Sequence, residues 1–213
     1  MFEEVLSKNA KRSLALLAKS GILENTYLAG GTALALQFGH RHSYDFDFFT
    51  YQKFNEEIMV QRIAETLPDF KLEKKSWGTI LGYLKDTRFS LFFYNYPLLF
   101  KTHQFKGIAI ADPRDIAAMK ISAIAGRGTK RDFIDLYFVL EKTKILTLEK
   151  ALKLYDKKFK ALRQNKMHIL KSLVYFEDAQ KDELPRMIKS VSWQAVKDFF
   201  IDEQKKIVQK ILP

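Results

Sequence analysis

The stretch AGGTALALQFGHRHSYDFDFF, residues Ala29 to Phe49, decides how this chain is read. It sets two glycines, a short apolar segment and an Asp-x-Asp pair in close succession. On a strand, residues two apart project from the same face. A strand over Tyr44 to Phe49 therefore sends Asp45 and Asp47 out together and directs Phe46 and Phe48 into the core behind them. Two neighbouring carboxylates repel unless positive charge lies between them. A hard divalent cation, usually Mg²⁺, answers that need, because it takes oxygen ligands and relies on one or two carboxylates plus substrate phosphates. Upstream, Tyr27-Leu28-Ala29 reads as a short buried strand, and Gly30-Gly31 turns it into a helix over Ala33 to Phe38, capped by Thr32 and closed by Gly39. A Gly-Gly turn at a helix start lets backbone N–H groups come close to a phosphate, with the Thr32 hydroxyl as a further contact. Either feature alone reads as an ordinary turn or a solvated strand edge. Their order on strand–turn–helix–strand gives a phosphate cradle followed by a metal clamp.

Composition sets the wider bounds. The 213 residues suffice for one compact domain or two small lobes, and a hydrophobic fraction of 47% supports a filled interior. Eighteen Phe against nine Tyr and two Trp point to aromatic packing. Cysteine is absent, which excludes disulfides, thiolate metal sites and cysteine nucleophiles. The first residues carry Glu3 and Glu4 and lack the pattern of a signal peptide, and no apolar run reaches membrane-spanning length, so the expectation is a cytoplasmic protein with no membrane segment. A net charge of +11 favours polyanionic partners, RNA or DNA above all, although a basic surface also serves solubility alone.

Outward from the opening stretch, Glu3 to Lys19 reads as an amphipathic helix and Asn55 to Leu67 as a helix capped by Asn55. Phe70 to Lys75, Thr79 to Lys85 and Arg88 to Tyr94 read as strands, the last two joined by a turn at Asp86-Thr87, and Gly107 to Ile110 as a further strand. Asp112-Pro113 opens a helix to about Ala125. After a tight turn at Arg127-Gly128-Thr129, helices follow over Lys130 to Lys142, Thr147 to Lys160 and Ser192 to Ile211, while Val174-Tyr175-Phe176 is ambiguous. The fold class is α+β: residues 1–110 form a mixed-sheet lobe with flanking helices, and residues 111–213 a mainly helical lobe.

GGTALAL…GHRHSYDFDFF resembles the first motif of the nucleotidyltransferase superfamily that includes DNA polymerase beta. The spelling from Gly39 to Phe49 is more closely similar to the AbiEii/AbiGii-type toxin nucleotidyltransferase family. A second signature, DPRDIAAMKISAIAGRGTKRDFIDLYFVL over Asp112 to Leu140, resembles that family as well, and a weaker likeness ends at Trp193 to Phe200. The resemblance implies a nucleotidyltransferase-like lobe in which Asp45 and Asp47 hold Mg²⁺, or Mn²⁺ in its place, and Gly30, Gly31 and Thr32 hold an NTP. It implies transfer of NMP to an acceptor hydroxyl, with RNA such as a tRNA 3′ end as acceptor and an antitoxin as protein partner. It favours Lys120 and Asp135 as catalytic, with Asp132 orienting a basic residue. Physically, Lys120 offers a point charge to triphosphate oxygens. Arg41, Ser43, Lys130 and Arg131 are further candidates for phosphate contact, with Arg127 in the same basic turn. The bland alternative for the second group is a set of surface ion pairs. His40 and His42 lack further His or Cys nearby and are not read as zinc ligands.

One feature departs from the superfamily pattern. A third carboxylate is expected on a later strand, yet Arg88 to Tyr94 carries none; Asp86 stands at its turn, and Asp135 is the preferred substitute for activating the acceptor. The alternative to an enzyme is therefore a non-catalytic module that binds nucleotide, RNA or a partner protein. A DxD glycosyltransferase leaves the Gly-Gly turn and the Lys120 to Asp135 segment unexplained.

Overall fold

The computed structural model describes residues 1–162 and 165–211. The chain divides into two compact units. One comprises Met1–Pro97 with Lys101–Asp112, and the other Leu98–Phe100 with Pro113–Pro213.

The first unit is built on a seven-stranded mixed sheet: β1 (Thr26–Ala29), β2 (Asp45–Thr50), β3 (Phe70–Ser76), β4 (Thr79–Leu84), β5 (Thr87–Phe93), β6 (His103–Phe105) and β7 (Ile108–Ile110), in the order β3-β4-β5-β2-β1-β7-β6. β2 lies at its centre, antiparallel to β1 and parallel to β5. Alternation decides which face is buried. Phe46, Phe48 and Phe89 have no exposed surface, and their rings meet at 6.3 Å (Phe46–Phe48) and 5.9 Å (Phe48–Phe89). Asp45, Asp47 and Phe49 occupy the opposite, half-buried face of β2. Leu14 and Leu17 of α1 (Lys8–Lys19), Leu34 and Leu36 of α2 (Gly30–Phe38) and Ile63 of α3 (Glu56–Thr66) are buried with those rings in the core of this unit.

Side-chain chemistry explains several boundaries. The expected N-terminal helix begins only at Lys8, because Ser7 caps it by accepting from the Ala10 N–H, and Glu3–Val5 forms a separate 3₁₀ turn. Asn55 caps α3 through the Ile58 N–H as the sequence indicated. The β4–β5 turn is Lys85-Asp86, with Lys85 at φ 58° and Thr87 already paired with Leu84 in the ladder. β6 carried no periodic signal and exists through its pairing with β7.

The second unit contains α4 (Pro113–Gly126), α5 (Lys130–Tyr137), α6 (Leu148–Lys158), α7 (Lys166–Ser172), α8 (Glu177–Lys181) and α9 (Trp193–Ile211). α5 continues into one π-helical turn at Phe138–Lys142. The core of this unit centres on Phe133, whose ring lies 5.1 Å from Phe176, 5.9 Å from Trp193 and 5.4 Å from Phe200. The ambiguous segment at Val174 to Phe176 is the connection between α7 and α8, two short helices that the sequence did not announce.

Candidate active site

In the first unit, β1 delivers the chain at Ala29 to α2, and Gly30 takes φ +70° at the junction. Thr32 does not cap α2, contrary to expectation: the helix starts at Gly30, and its N-cap position is Ala29, which offers no side-chain oxygen. The early N–H groups of a helix have no partner within it, and Ala29 supplies no side-chain cap here. Asp47 pairs with Ala29 in the β1–β2 ladder, which brings its carboxylate against the same junction. A Cβ on Gly30 would stand 3.1 Å from Asp47 Oδ2. The backbone angle favours glycine here, and a larger residue would also crowd the acid.

The structure divides the sequence-derived candidates in this unit. Gly30, Gly31, Asp45 and Asp47 are half-buried and accessible. Thr32, Arg41 and Ser43 are not, at 1%, 4% and 5% exposure. Thr32 Oγ1 and Ser43 Oγ are 2.7 Å apart, and the Thr32 hydroxyl also donates to the Asp45 carbonyl. The two hydroxyls thus tie the first turn of α2 to the start of β2, and their expected phosphate contacts give way to support of the acid-bearing strand. The Arg41 guanidinium donates to the His42 carbonyl at 3.0 Å. His40 is fully buried with its ring 6.2 Å from Phe38, and His42 stacks on Tyr44 at 6.4 Å.

Register leaves the third acid without a place beside the pair. β5 sets Arg88 beside Asp45 and Ser90 beside Asp47, so no carboxylate of the β5 ladder neighbours the pair. Asp86 is exposed in the β4–β5 turn and accepts from Asn9 Nδ2 at 3.1 Å. Among the described residues, no cluster of three or more His, Cys, Asp or Glu side chains can hold a metal ion. Two same-face carboxylates do suit Mg²⁺, which completes its shell from water and substrate phosphates.

In the second unit, Lys120 of α4 lies in a buried triad, with Nζ 2.9 Å from Asp132 Oδ1 and 2.7 Å from Asp135 Oδ2. The i, i+3 spacing of the two acids turns both toward one ammonium. The alternative of surface ion pairs does not describe this triad, which is interior: Asp135 has no exposed surface and Asp132 only 1%. Burial pushes the Asp132 carboxyl up, but Lys120, Arg127 and the Thr129 hydroxyl outweigh it and hold it down at about 2. Asp132 accepts from the Lys120 ammonium at 2.9 Å and from Arg127 Nε at 3.1 Å. Lys130 is buried, its backbone N–H donating to Asp182 Oδ2 at 2.9 Å and its ammonium to the Asp182 carbonyl, whereas Arg131 is exposed.

The sequence profile of the nucleotidyl transferase AbiEii toxin, type IV TA system, matches residues 12–80 and 93–210. The chain belongs to the AbiEii family. This AbiEii-family chain is 39% identical over 207 residues to the uncharacterized protein aq_aa25 of Aquifex aeolicus, covering 96% of this chain and 98% of that one. Its fold is similar to that of JHP933 from Helicobacter pylori (TM-score 0.57, 20% identity, 96% and 94% of the two chains covered). It is also similar to MenT4, a nucleotidyltransferase toxin from Mycobacterium tuberculosis (TM-score 0.51, 15% identity, 93% and 86% covered). AbiEii membership makes the chain an enzyme of the nucleotidyltransferase type. Among its described residues, no helix is long and apolar enough to cross a membrane.

Proposed function

We propose that the chain transfers NMP from an NTP to an acceptor hydroxyl, with Mg²⁺, or Mn²⁺, held by Asp45 and Asp47. The observation that supports this best is the closeness of the Asp47 carboxylate to Gly30, where α2 starts without a side-chain cap from Ala29. A metal bound there neutralises triphosphate charge as a Lewis acid. The backbone N–H groups at Gly30 and Gly31 take phosphate oxygens, and Asp45 and Asp47 are kept in place by the Thr32–Ser43 hydroxyl link. The acceptor hydroxyl gives up its proton to solvent, its oxygen bonds to the α-phosphorus as the bond to the bridging oxygen breaks, and pyrophosphate leaves. The gain comes from positioning and charge neutralisation.

Lys120 and Asp135 enter this reading as residues of the second signature on which transfer depends, and Arg131 as an exposed cation for phosphate. RNA, such as a tRNA 3′ end, is the acceptor we favour, in keeping with the +11 charge. The family's description as the toxin of a type IV system adds an antitoxin as partner. The test is incubation with each α-labelled NTP, Mg²⁺ and cellular RNA, beside Asp47→Ala. Metal-dependent labelling that the variant loses supports the transferase. The lack of a carboxylate on β5 beside Asp47 favours one second reading, a binding module; absence of labelling on RNA, protein and small acceptors alike would select it.

A further inference from the structure

We propose that the outward face of the sheet from β2 to the β3 edge is the track along which a single-stranded RNA acceptor reaches Asp45 and Asp47. This rests on the assignment of those two acids as the transfer site.

Two registered rows cross this face. Asp45 neighbours Arg88, Arg88 neighbours Tyr83, and Tyr83 neighbours Lys71. In the next row Asp47, Ser90, Leu81 and Lys74 follow one another. Residues paired in register share a face, and neighbouring strands lie about 4.8 Å apart, so the three strand steps to Lys71 cover about 14 Å. Lys71 and Lys74 are three apart in sequence and would point to opposite faces on a regular strand. The register shift between Leu72 and Lys74 absorbs the extra residue and returns both lysines to the face of the acids.

The chemistry along the rows suits a polynucleotide. Tyr83 is 37% exposed, the Arg88 side chain 44%, and Lys71 and Lys74 are both exposed. Lys71 and Lys74 form no ion pair among the described residues. The acid beside them, Glu73 at the bulge, is engaged by Arg88 at 3.3 Å. Lysines on an edge strand also discourage edge-to-edge pairing. That role needs neither an exposed Tyr nor an Arg in the same row leading inward to the carboxylates. Cations for phosphates with an aromatic face for a base are how single strands are held without sequence preference.

The test is fluorescence anisotropy of a short labelled oligoribonucleotide with the full chain, in EDTA and without NTP, over a range of salt. Lys71→Ala/Lys74→Ala is expected to reduce the slope of log K against log salt by about 1.4, at about 0.7 per lost phosphate contact. Tyr83→Ala is expected to weaken binding about tenfold at unchanged slope, with Tyr83→Phe close to wild type. The control pair Lys150→Ala/Lys157→Ala, exposed residues in the second unit, is expected to leave both quantities unchanged. No binding by the wild type, an unchanged slope in the track pair, or an equal loss in the control pair overturns the proposal. Because these measurements use neither metal nor NTP, their failure leaves the transferase reading standing. Loss of labelling activity, in turn, leaves them interpretable.

Discussion

The carboxylate of Asp47 and the α-carbon of Gly30 are packed so closely that a Cβ on Gly30 would sit 3.1 Å from Asp47 Oδ2. Gly30→Ala therefore meets two obstacles, the acid itself and a backbone angle of +70°. The strained angle alone costs about 1–3 kcal/mol. The expected outcome is a lowered melting temperature together with loss of NMP transfer beyond what reduced folded population explains. Scanning calorimetry and a transfer assay on the same sample check both.

Thr32 and Ser43 act on the site from behind. Thr32→Val removes the hydroxyl that meets Ser43 and the Asp45 carbonyl in a buried setting. Leaving such groups unsatisfied costs about 1–3 kcal/mol. If the hydroxyl sets the position of β2 rather than touching phosphate, kcat falls while the KM for NTP stays near wild type, and Thr32→Ser restores kcat. A rise in KM alone would mark Thr32 as a phosphate ligand.

The α-β junction shows what the sequence carries and what it withholds. Alternation over Asp45 to Phe49 and caps such as Asn55 and Thr147 are local, so a residue and its neighbours suffice to read them. Thr32 looks like a cap by the same local logic, but its hydroxyl finds a partner at Ser43, across a turn. Lys130 looks like a surface cation until Asp182, 52 residues away, takes its ammonium. The neighbour of Asp47 on β5 depends on register alone, which no local pattern in the chain specifies. Strand alternation and the Asn55 cap were legible; the partners that bury or free a polar side chain were not.

Asp132 links the second unit to pH. Its folded pKa of about 2 lies below the ordinary 3.8, so it contributes stability at neutral pH that is lost as pH falls from about 4 through 2. A shift of that size corresponds to about 2 kcal/mol. Asp132→Asn is expected to be less stable at pH 7 and to lose less stability over that acid range than the wild type. Urea unfolding at a series of pH values gives the comparison, and parallel curves would contradict it.

Asp115 and Lys158 form a fully buried ion pair at 2.9 Å, and Asp115 also accepts from the Leu99 and Phe100 N–H groups. Asp115→Asn removes the carboxylate from the buried Lys158 ammonium, at a cost of about 3–5 kcal/mol. Burial already lowers the Lys158 pKa against the pull of Asp115. Without Asp115 the folded state binds fewer protons than the unfolded one, so the variant gains stability as pH rises toward 10.5. Asp115→Asn/Lys158→Met is expected to recover part of the loss, read as a shift in the denaturation midpoint.

On the proposed reading, Asp45 and Asp47 form the metal-dependent transfer site. The most direct measurement is pyrophosphate release from NTP in the presence of acceptor RNA, titrated with Mg²⁺, for the wild type, Asp45→Asn and Asp47→Asn. Melting temperatures of all three serve as the folding check. The account predicts saturable Mg²⁺-dependent release by the wild type, and a fall of about a hundredfold or more in each folded variant, the scale of losing one preorganised electrostatic group. Release that persists in both folded variants, or that needs no divalent cation in the wild type, would contradict it.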